Sequence, residues 1–205
     1  MKNNPLVLVV DDDSGVRNAM RALLKSVGLN AALYPSAQEF LTTFDSDQPG
    51  CLVLDIRMPG MSGMELQQEL NLRGAVIPVI FMSGHADIPM AVEAMQHGAF
   101  DFLQKPFRDQ DLLDRIQRAI AKDTERRLAL GERSRIKTNL ESLTDREREV
   151  LELLTKGKQN KQIAQELGVS PRTIEIHRAR VMEKMDAQSV AELVRMMLDL
   201  GNGIS

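Results

Sequence analysis

Short apolar runs alternate with longer amphipathic stretches over the first 121 residues. The runs are Leu6–Val10, Cys51–Leu54, Val76–Met82 and Phe100–Gln104, with a weaker one at Asn30–Tyr34. Apolar runs that polar residues rarely break are typical of parallel strands whose sheet is covered on both faces. The intervening stretches have helical patterns, at residues 14–27, 36–44, 62–71, 87–97 and 109–121. Five strand–helix units in succession predict an α/β doubly wound, five-stranded parallel sheet, flavodoxin-like with strand order 2-1-3-4-5.

The hydrophobic pattern weakens between residues 122 and 142, where charged side chains dominate. A sparse apolar stripe remains, formed by Leu128, Leu130, Ile136 and Leu140, and Gly131 interrupts it. We interpret this segment as a helical linker between a first domain at residues 1–121 and a second at 143–205. A short coiled coil is an alternative, although the repeats are few.

The second domain has helical patterns and no strand pattern. Thr144 and Glu147 have the spacing of a capping box at the start of a helix that extends to about Leu154. Further helices are predicted at about 160–167, 170–185 and 189–200. Ser170 is a good N-cap for the third of these, and the short turn before it contains Gly168. The pattern is that of an all-α helix-turn-helix domain.

Composition and charge narrow the functional classes. The net charge of −3 combines an acidic first domain with a mildly basic remainder, which indicates two modules with different partners. Cys51 is the single cysteine, so no intrachain disulfide is possible. No apolar stretch has the length of a signal-peptide core or a membrane span, so we expect a cytoplasmic protein without a membrane partner.

Acidic residues follow the first and third predicted strands. Asp11 and Asp12 come directly after Val10, and Asp55 ends the third strand. In a 2-1-3-4-5 sheet these strand ends are neighbours, at the edge where open α/β sheets bind ligands. Clustered carboxylates repel one another, and Mg²⁺ is a hard cation that would neutralise them. Ser83 and Lys105, at the ends of the fourth and fifth strands, would suit a phosphoryl group.

These elements closely resemble the receiver domains of two-component response regulators over about residues 5–121. The resemblance is carried by Asp11–Asp12, LDIRMPGMSG at 54–63, FMSGHADIPMAVEAM at 81–95 and FLQKPF at 102–107. It implies that Asp55 accepts a phosphoryl group from a sensor histidine kinase, and that Lys105 pairs with a phosphoryl oxygen. The implied Mg²⁺ ligands are Asp11, Asp12, Asp55 and the backbone carbonyl of Arg57.

The resemblance also assigns Ser83 and Phe102 as a switch pair, and it implies a cis bond between Lys105 and Pro106. Phe102 could instead be a core aromatic. Two nearby residues receive other interpretations: Asp13 is read as a helix cap or a solvated charge, and His85 as a residue at the rim of the site rather than a ligand.

Residues 143–185 resemble the LuxR-type four-helix DNA-binding domain, and together with the receiver they resemble FixJ-type regulators over nearly the whole chain. The segment 170–185 would then be the recognition helix, which helix-turn-helix modules place in the major groove. Helical spacing predicts a core-facing stripe on it: Ile174, His177, Val181 and Met185. The basic candidates for phosphate or guanine contacts are Arg172, Arg178, Arg180 and Lys184. The other groove candidates are Glu175, Ile176 and Ala179, and Lys161 on the preceding helix is a further phosphate candidate.

These assignments predict a phosphorylation-controlled transcriptional regulator. Phosphorylation of Asp55 would promote a homodimer through helix 87–97, strand 100–104 and helix 109–121, with Ile88, Met90, Met95 and Asp111 on or near that face. The dimer would bind a two-fold related site in double-stranded promoter DNA, and RNA polymerase would be a further partner. Catalysis would be limited to the protein's own phosphorylation and dephosphorylation. Two alternatives are a phosphatase-like hydrolase with Asp55 as nucleophile and a receiver that serves only as a constitutive dimerisation module.

Overall fold

The computed structural model of the protein describes residues 4–84 and 88–201. The chain divides into two compact units, Met1–Arg127 and Leu128–Ser205. Within the described residues, no helix combines the length and the apolar character that crossing a membrane requires.

A five-stranded parallel sheet forms the centre of the first unit. Its strands are β1 (Leu6–Val10), β2 (Asn30–Tyr34), β3 (Gly50–Asp55), β4 (Val79–Ser83) and β5 (Asp101–Gln104). The order is β2-β1-β3-β4-β5, and all four pairings are parallel. The predicted flavodoxin-like sheet is therefore confirmed.

Helices cover both faces of this sheet. They are α1 (Ser14–Ser26), α2 (Ala37–Thr43), α3 (Gly63–Leu72), α4 (Ile88–Gln96) and α5 (Asp109–Glu141). Leu52 and Leu54 of β3 pack in the cluster that contains Phe40 of α2, whereas Val53 packs on the opposite face with Ile116 of α5. Because both faces are covered, successive residues of each central strand are buried, which explains the unbroken apolar runs.

Local chemistry moves several element boundaries from their predicted positions. β4 begins at Val79 rather than Val76, since Pro78 has no N–H to donate to a neighbouring strand. Asp13 caps α1 by accepting from the amides of Gly15 and Val16, as one of its two readings predicted. Residues 109–121 and the predicted linker form one helix, α5, which continues through Gly131.

Two charged residues of α5 that follow residue 121 pack on the first unit. Asp123 is 1% exposed and accepts from the backbone N–H of Gly50 at 2.9 Å. Arg127 donates to that carboxylate at 2.8 Å and to the consecutive backbone carbonyls of residues 46–48. Each of these charged residues of the predicted linker is held by a partner distant in sequence.

The second unit contains the end of α5 together with α6 (Asp145–Thr155), α7 (Asn160–Glu166), α8 (Pro171–Met185) and α9 (Val190–Gly201). Thr144 and Glu147 form the expected capping box, and Ser170 caps α8. Three of the four predicted core residues of α8 are fully buried, namely Ile174, Val181 and Met185. His177 is only half buried. Ile136 of α5 is 2% exposed and packs in the same cluster as Val181, so this stretch of α5 belongs to the second core.

Candidate functional site

The acidic residues of the first unit meet at the carboxyl edge of the sheet. Asp11 directly follows β1, and Asp55 is the last residue of β3, which pairs with β1. On the other side of β3, the backbone N–H of Lys105 donates to the carbonyl of Ser83 at 2.7 Å. The parallel register therefore delivers the ends of four strands to one place.

Lys105 lies between the two buried carboxylates. Its Nζ is 2.8 Å from Oδ2 of Asp11 and 2.6 Å from Oδ1 of Asp55. The side chains of both aspartates are largely buried, at 2% and 11% exposure. One ammonium thus faces two carboxylates, and the three groups together carry one net negative charge.

Burial dominates the electrostatics of this triplet. Burial raises the pKa of Asp55 above its ordinary value, and the neighbouring charge of Asp11 adds to this effect, although Lys105 opposes both. Burial alone would lower the pKa of Lys105, but its hydrogen bonds to Asp11 and Asp55 raise it above the usual value. Lys105 is therefore held as a cation, and the remaining negative charge favours a further cation at this edge.

Backbone donors fix the two carboxylates, and a side-chain donor fixes the backbone at Asp11. The N–H of Arg57 donates to Oδ2 of Asp55 at 2.8 Å, and the N–H of Asp13 donates to Oδ1 of Asp11 at 2.9 Å. Arg17 of α1 donates to the backbone carbonyl of Asp11 at 2.7 Å. Arg17 was not among the predicted site residues, because nothing in its sequence position indicates a partner six residues away.

Gly63 allows the chain after β3 to fold back against Asp55. A Cβ at this position would lie 2.3 Å from the backbone oxygen of Asp55. The Gly63 N–H donates to the carbonyl of Ile56 at 2.9 Å, and a capping box of Ser62 and Glu65 starts α3. This close approach requires glycine.

The donor chemistry of the site fits Mg²⁺. Asp11 and Asp55 supply oxygen ligands, and one or two carboxylates are the usual protein contribution to Mg²⁺. Asp12 is exposed, and the described residues contain no group of three or more His, Cys, Asp or Glu placed as metal ligands. The structure therefore brings together two of the three predicted acidic ligands, and the carbonyl of Arg57 and the carboxylate of Asp12 stay predictions.

The predicted switch residues lie near this edge. Ser83 is the last residue of β4 and is 2% exposed. Phe102 of β5 is partly buried and packs against the cluster that contains Phe81, its neighbour in β4. The Lys105–Pro106 bond is cis, as predicted. His85 lies outside the described residues.

In the second unit, most predicted DNA-contact residues are exposed. They are Lys161 on α7 and Arg172, Glu175, Ile176, Ala179 and Arg180 on α8. Arg178 is half buried and contacts Oδ1 of Asn160 at 3.3 Å. Lys184 is also half buried, and its ammonium binds Glu147 of α6 at 2.7 Å. The structure thus places six of the eight candidates on the surface and engages the other two within the unit.

Family comparisons cover both units. Residues 7–117 match the response regulator receiver domain family, and residues 141–197 match the family of bacterial regulatory proteins of the luxR type. The first match includes the carboxylate–lysine site, and the second includes the whole of α8.

Several known proteins are similar to this chain over most of its length and most of their own. Nodulation protein W of Bradyrhizobium diazoefficiens is 46% identical over 196 residues, which are 96% of this chain and 86% of that protein. The transcriptional regulatory protein FixJ of Azorhizobium caulinodans is 48% identical over 95% of this chain and 92% of its own length. The solved structure of the response regulator StyR has a TM-score of 0.88 and 45% identity, and the match covers 95% of this chain and 98% of that one. The chain therefore belongs to the two-component response regulators that join a receiver domain to a LuxR-type DNA-binding domain, and it is a transcriptional regulator of the FixJ type.

Proposed function

We propose that a sensor histidine kinase transfers a phosphoryl group to Asp55 and that this modification controls promoter binding by the second unit. The observation that carries the proposal is the single ammonium of Lys105 between two buried carboxylates, Asp11 and Asp55. One carboxylate would be enough for a purely structural ion pair with Lys105. The second carboxylate leaves a net negative charge, which would attract the cation that stabilises a phosphoryl group during its transfer.

The chain's own residues have defined tasks in this transfer. An oxygen of Asp55 forms the new P–O bond as the P–N bond of the donor phosphohistidine breaks, and the leaving imidazole nitrogen takes up a proton. Lys105 lies 2.6 Å from that carboxylate and would move onto a phosphoryl oxygen. The N–H of Arg57 holds the other carboxylate oxygen at 2.8 Å and so orients the nucleophile.

We propose Mg²⁺ as the cofactor, held by Asp11 and Asp55 with Asp12 and the Arg57 carbonyl as further ligands. When bound, the metal supplies charge neutralisation for the phosphoryl oxygens.

The response to phosphorylation is proposed to run through Ser83 and Phe102 to the face of α4, β5 and α5. Val92 and Met95 of α4 are 49% and 47% exposed, so this face presents apolar surface to a second copy of the chain. A dimer formed there would place two α8 helices about 34–36 Å apart, which matches the spacing of the half-sites in a two-fold related DNA site. The proposed location is the cytoplasm, and RNA polymerase would be a further partner.

The domain division is also part of the proposal. Receiver function is assigned to residues 1–121, with its packing extended to Arg127, a helical linker role to residues 122–142, and DNA binding to residues 143–205.

The proposal is tested by comparing the wild type with Asp55→Asn in the presence of Mg²⁺ and beryllofluoride. With beryllofluoride the wild type is expected to elute as a dimer on size-exclusion chromatography. It should also bind more tightly than without beryllofluoride to a duplex that it enriches from a random-sequence library. Asp55→Asn should do neither, although it should fold. Equal responses of the two proteins would refute control through Asp55.

A further inference from the structure

Lys184 occupies an unexpected position for a residue of a DNA-recognition helix. Its ammonium lies 2.7 Å from Oε2 of Glu147 and 3.1 Å from the backbone carbonyl of Ser142. Glu147 is 2% exposed, whereas the side chain of Lys184 is 35% exposed. The lysine therefore turns towards α6 and the chain before it, and its charge is matched inside the unit.

The geometry of α8 explains this orientation. Lys184 is seven residues after His177, so the two residues lie on nearly the same stripe of the helix, and His177 is half buried. The residues on either side of Lys184 in the helix's core stripe, Val181 and Met185, are fully buried. Lys184 thus lies at the margin of the core, while Ile176 and Ala179 are on the exposed face.

Glu147 connects this contact to the start of α6. The same oxygen that binds Lys184 accepts from the backbone N–H of Thr144 at 2.9 Å, and the N–H of Glu147 is bonded to the Thr144 hydroxyl at 3.3 Å. In a capping box the carboxylate at N3 accepts from the backbone N–H of the N-cap residue, and this hydrogen bond requires no cation. Here its carboxylate is buried, and the lysine of α8 neutralises it. The hydrogen bond from Lys184 holds the pKa of Glu147 far below its ordinary range.

We infer that Lys184 is a positioning residue that sets the C-terminal half of α8 against the α6 cap through Glu147, rather than a contact to DNA. This inference rests on the proposed use of α8 in the major groove. It differs from the expectation that Lys184 contacts a phosphate or a guanine, which stays a prediction. The consequence is a separation of roles along one helix: the exposed residues read the DNA, and Lys184 determines how they are presented.

The salt dependence of binding separates the two roles. The logarithm of affinity falls as the logarithm of salt concentration rises, and each lost phosphate contact reduces the magnitude of that slope by about 0.9. A dimer that loses one contact in each copy therefore changes by about 1.8. A positioning residue leaves this slope unchanged and lowers the affinity for the specific site. We therefore expect Lys184→Met to lower the affinity for the specific duplex about tenfold, which is the effect of losing one groove contact. The affinity for a scrambled duplex should stay nearly unchanged.

The experiment uses the full chain with beryllofluoride and Mg²⁺, the duplex that the wild type enriches from a random library, and a scrambled duplex of equal length. Affinities are measured over a potassium chloride series. Lys161→Met is the matched control, since Lys161 is an exposed lysine on α7 and a proposed phosphate contact. It should weaken binding to both duplexes and, because each copy in the dimer loses one contact, reduce the magnitude of the slope by about 1.8. Melting curves establish the temperature range in which every variant is folded.

Coupling to Glu147 completes the test. Glu147→Gln keeps an oxygen for the Thr144 N–H but loses the charge that binds Lys184. If Lys184→Met folds poorly, the affinities of Glu147→Gln for the specific and scrambled duplexes are compared with those of the wild type instead. The double variant should bind the specific duplex no more weakly than Lys184→Met alone, and Lys184→Arg should retain most of the affinity. A salt slope of smaller magnitude for Lys184→Met, or additive losses of affinity in the double variant, would overturn the positioning role and leave the proposed groove binding intact. Failure of the wild type to enrich any duplex would overturn groove binding, and the positioning role with it.

Discussion

Replacing Arg127 by methionine is expected to destabilise the first unit strongly, although sequence patterns place this residue in a charged linker. The variant removes the ion pair with Asp123 at 2.8 Å and the donors to three consecutive backbone carbonyls, at 2.9–3.0 Å. Asp123 has a side chain that is 1% exposed, and it would keep only the Gly50 N–H among the contacts described above.

The magnitude follows from the burial of the carboxylate. Removing one partner of a buried ion pair costs about 3–5 kcal/mol, because the other charge stays buried without compensation. The side chain of Arg127 is 23% exposed, so solvent partly replaces it and the lower end of that range applies. We expect a loss of about 3 kcal/mol, which is an increase of roughly a hundredfold in the opening equilibrium of the unit.

Hydrogen exchange measured by mass spectrometry reports this opening unit by unit in the full chain. Amides of β3 should exchange about a hundredfold faster in Arg127→Met when exchange occurs through global opening. Arg126→Met is the matched control, because Arg126 is the adjacent exposed arginine of α5, and it should change stability by less than about 0.5 kcal/mol. Asp123→Asn combined with Arg127→Met should recover part of the loss, since no charge is then buried. Equal exchange in the two single variants would refute this account of the contact.

Two further predictions concern residues whose environment the structure defines. Gly63→Ala places a Cβ 2.3 Å from the backbone oxygen of Asp55, so we expect a loss of about 2 kcal/mol or more and slower phosphorylation from acetyl phosphate; normal phosphorylation rates would contradict this. The pKa of Glu147 is lowered from 4.5 to about 2, chiefly by the hydrogen bond from Lys184. A depressed folded-state pKa stabilises the fold above the unfolded value, so this contribution should disappear as the pH falls from about 4.5 to 2. Acid denaturation should show the loss in the wild type and not in Glu147→Gln.

The fold was predictable because it depends on burial along the chain. Unbroken apolar runs occur where a central strand is covered on both faces, and this property requires no knowledge of partners. The acidic site was predictable for a related reason. Once the strand order is known, the end of β1 and the end of β3 are neighbours, so Asp11 and Asp55 must approach each other.

The charged pairs were not predictable in the same way. Asp123 accepts from Gly50, 73 positions earlier in the chain, and Lys184 binds Glu147, 37 positions earlier. A helical stripe shows that a charged residue lies beside the core, but it does not show whether another element brings an opposite charge to it. The sequence therefore placed Asp123 only in a charged linker and Lys184 only among the candidate DNA contacts, because a charged residue is by default expected at the surface.

The same limit affects how function is read from a recognition helix. Arg178 and Lys184 have the chemistry of DNA contacts, yet they bind Asn160 and Glu147 within the unit. Arg180 has similar chemistry and is exposed. The distinction between them arises from the elements packed against α8, since α7 supplies the amide and α6 the carboxylate. Substitutions of Glu147 on α6 and Asn160 on α7 should therefore alter DNA recognition although neither residue is a proposed DNA contact, because they change the side chains against which α8 is held.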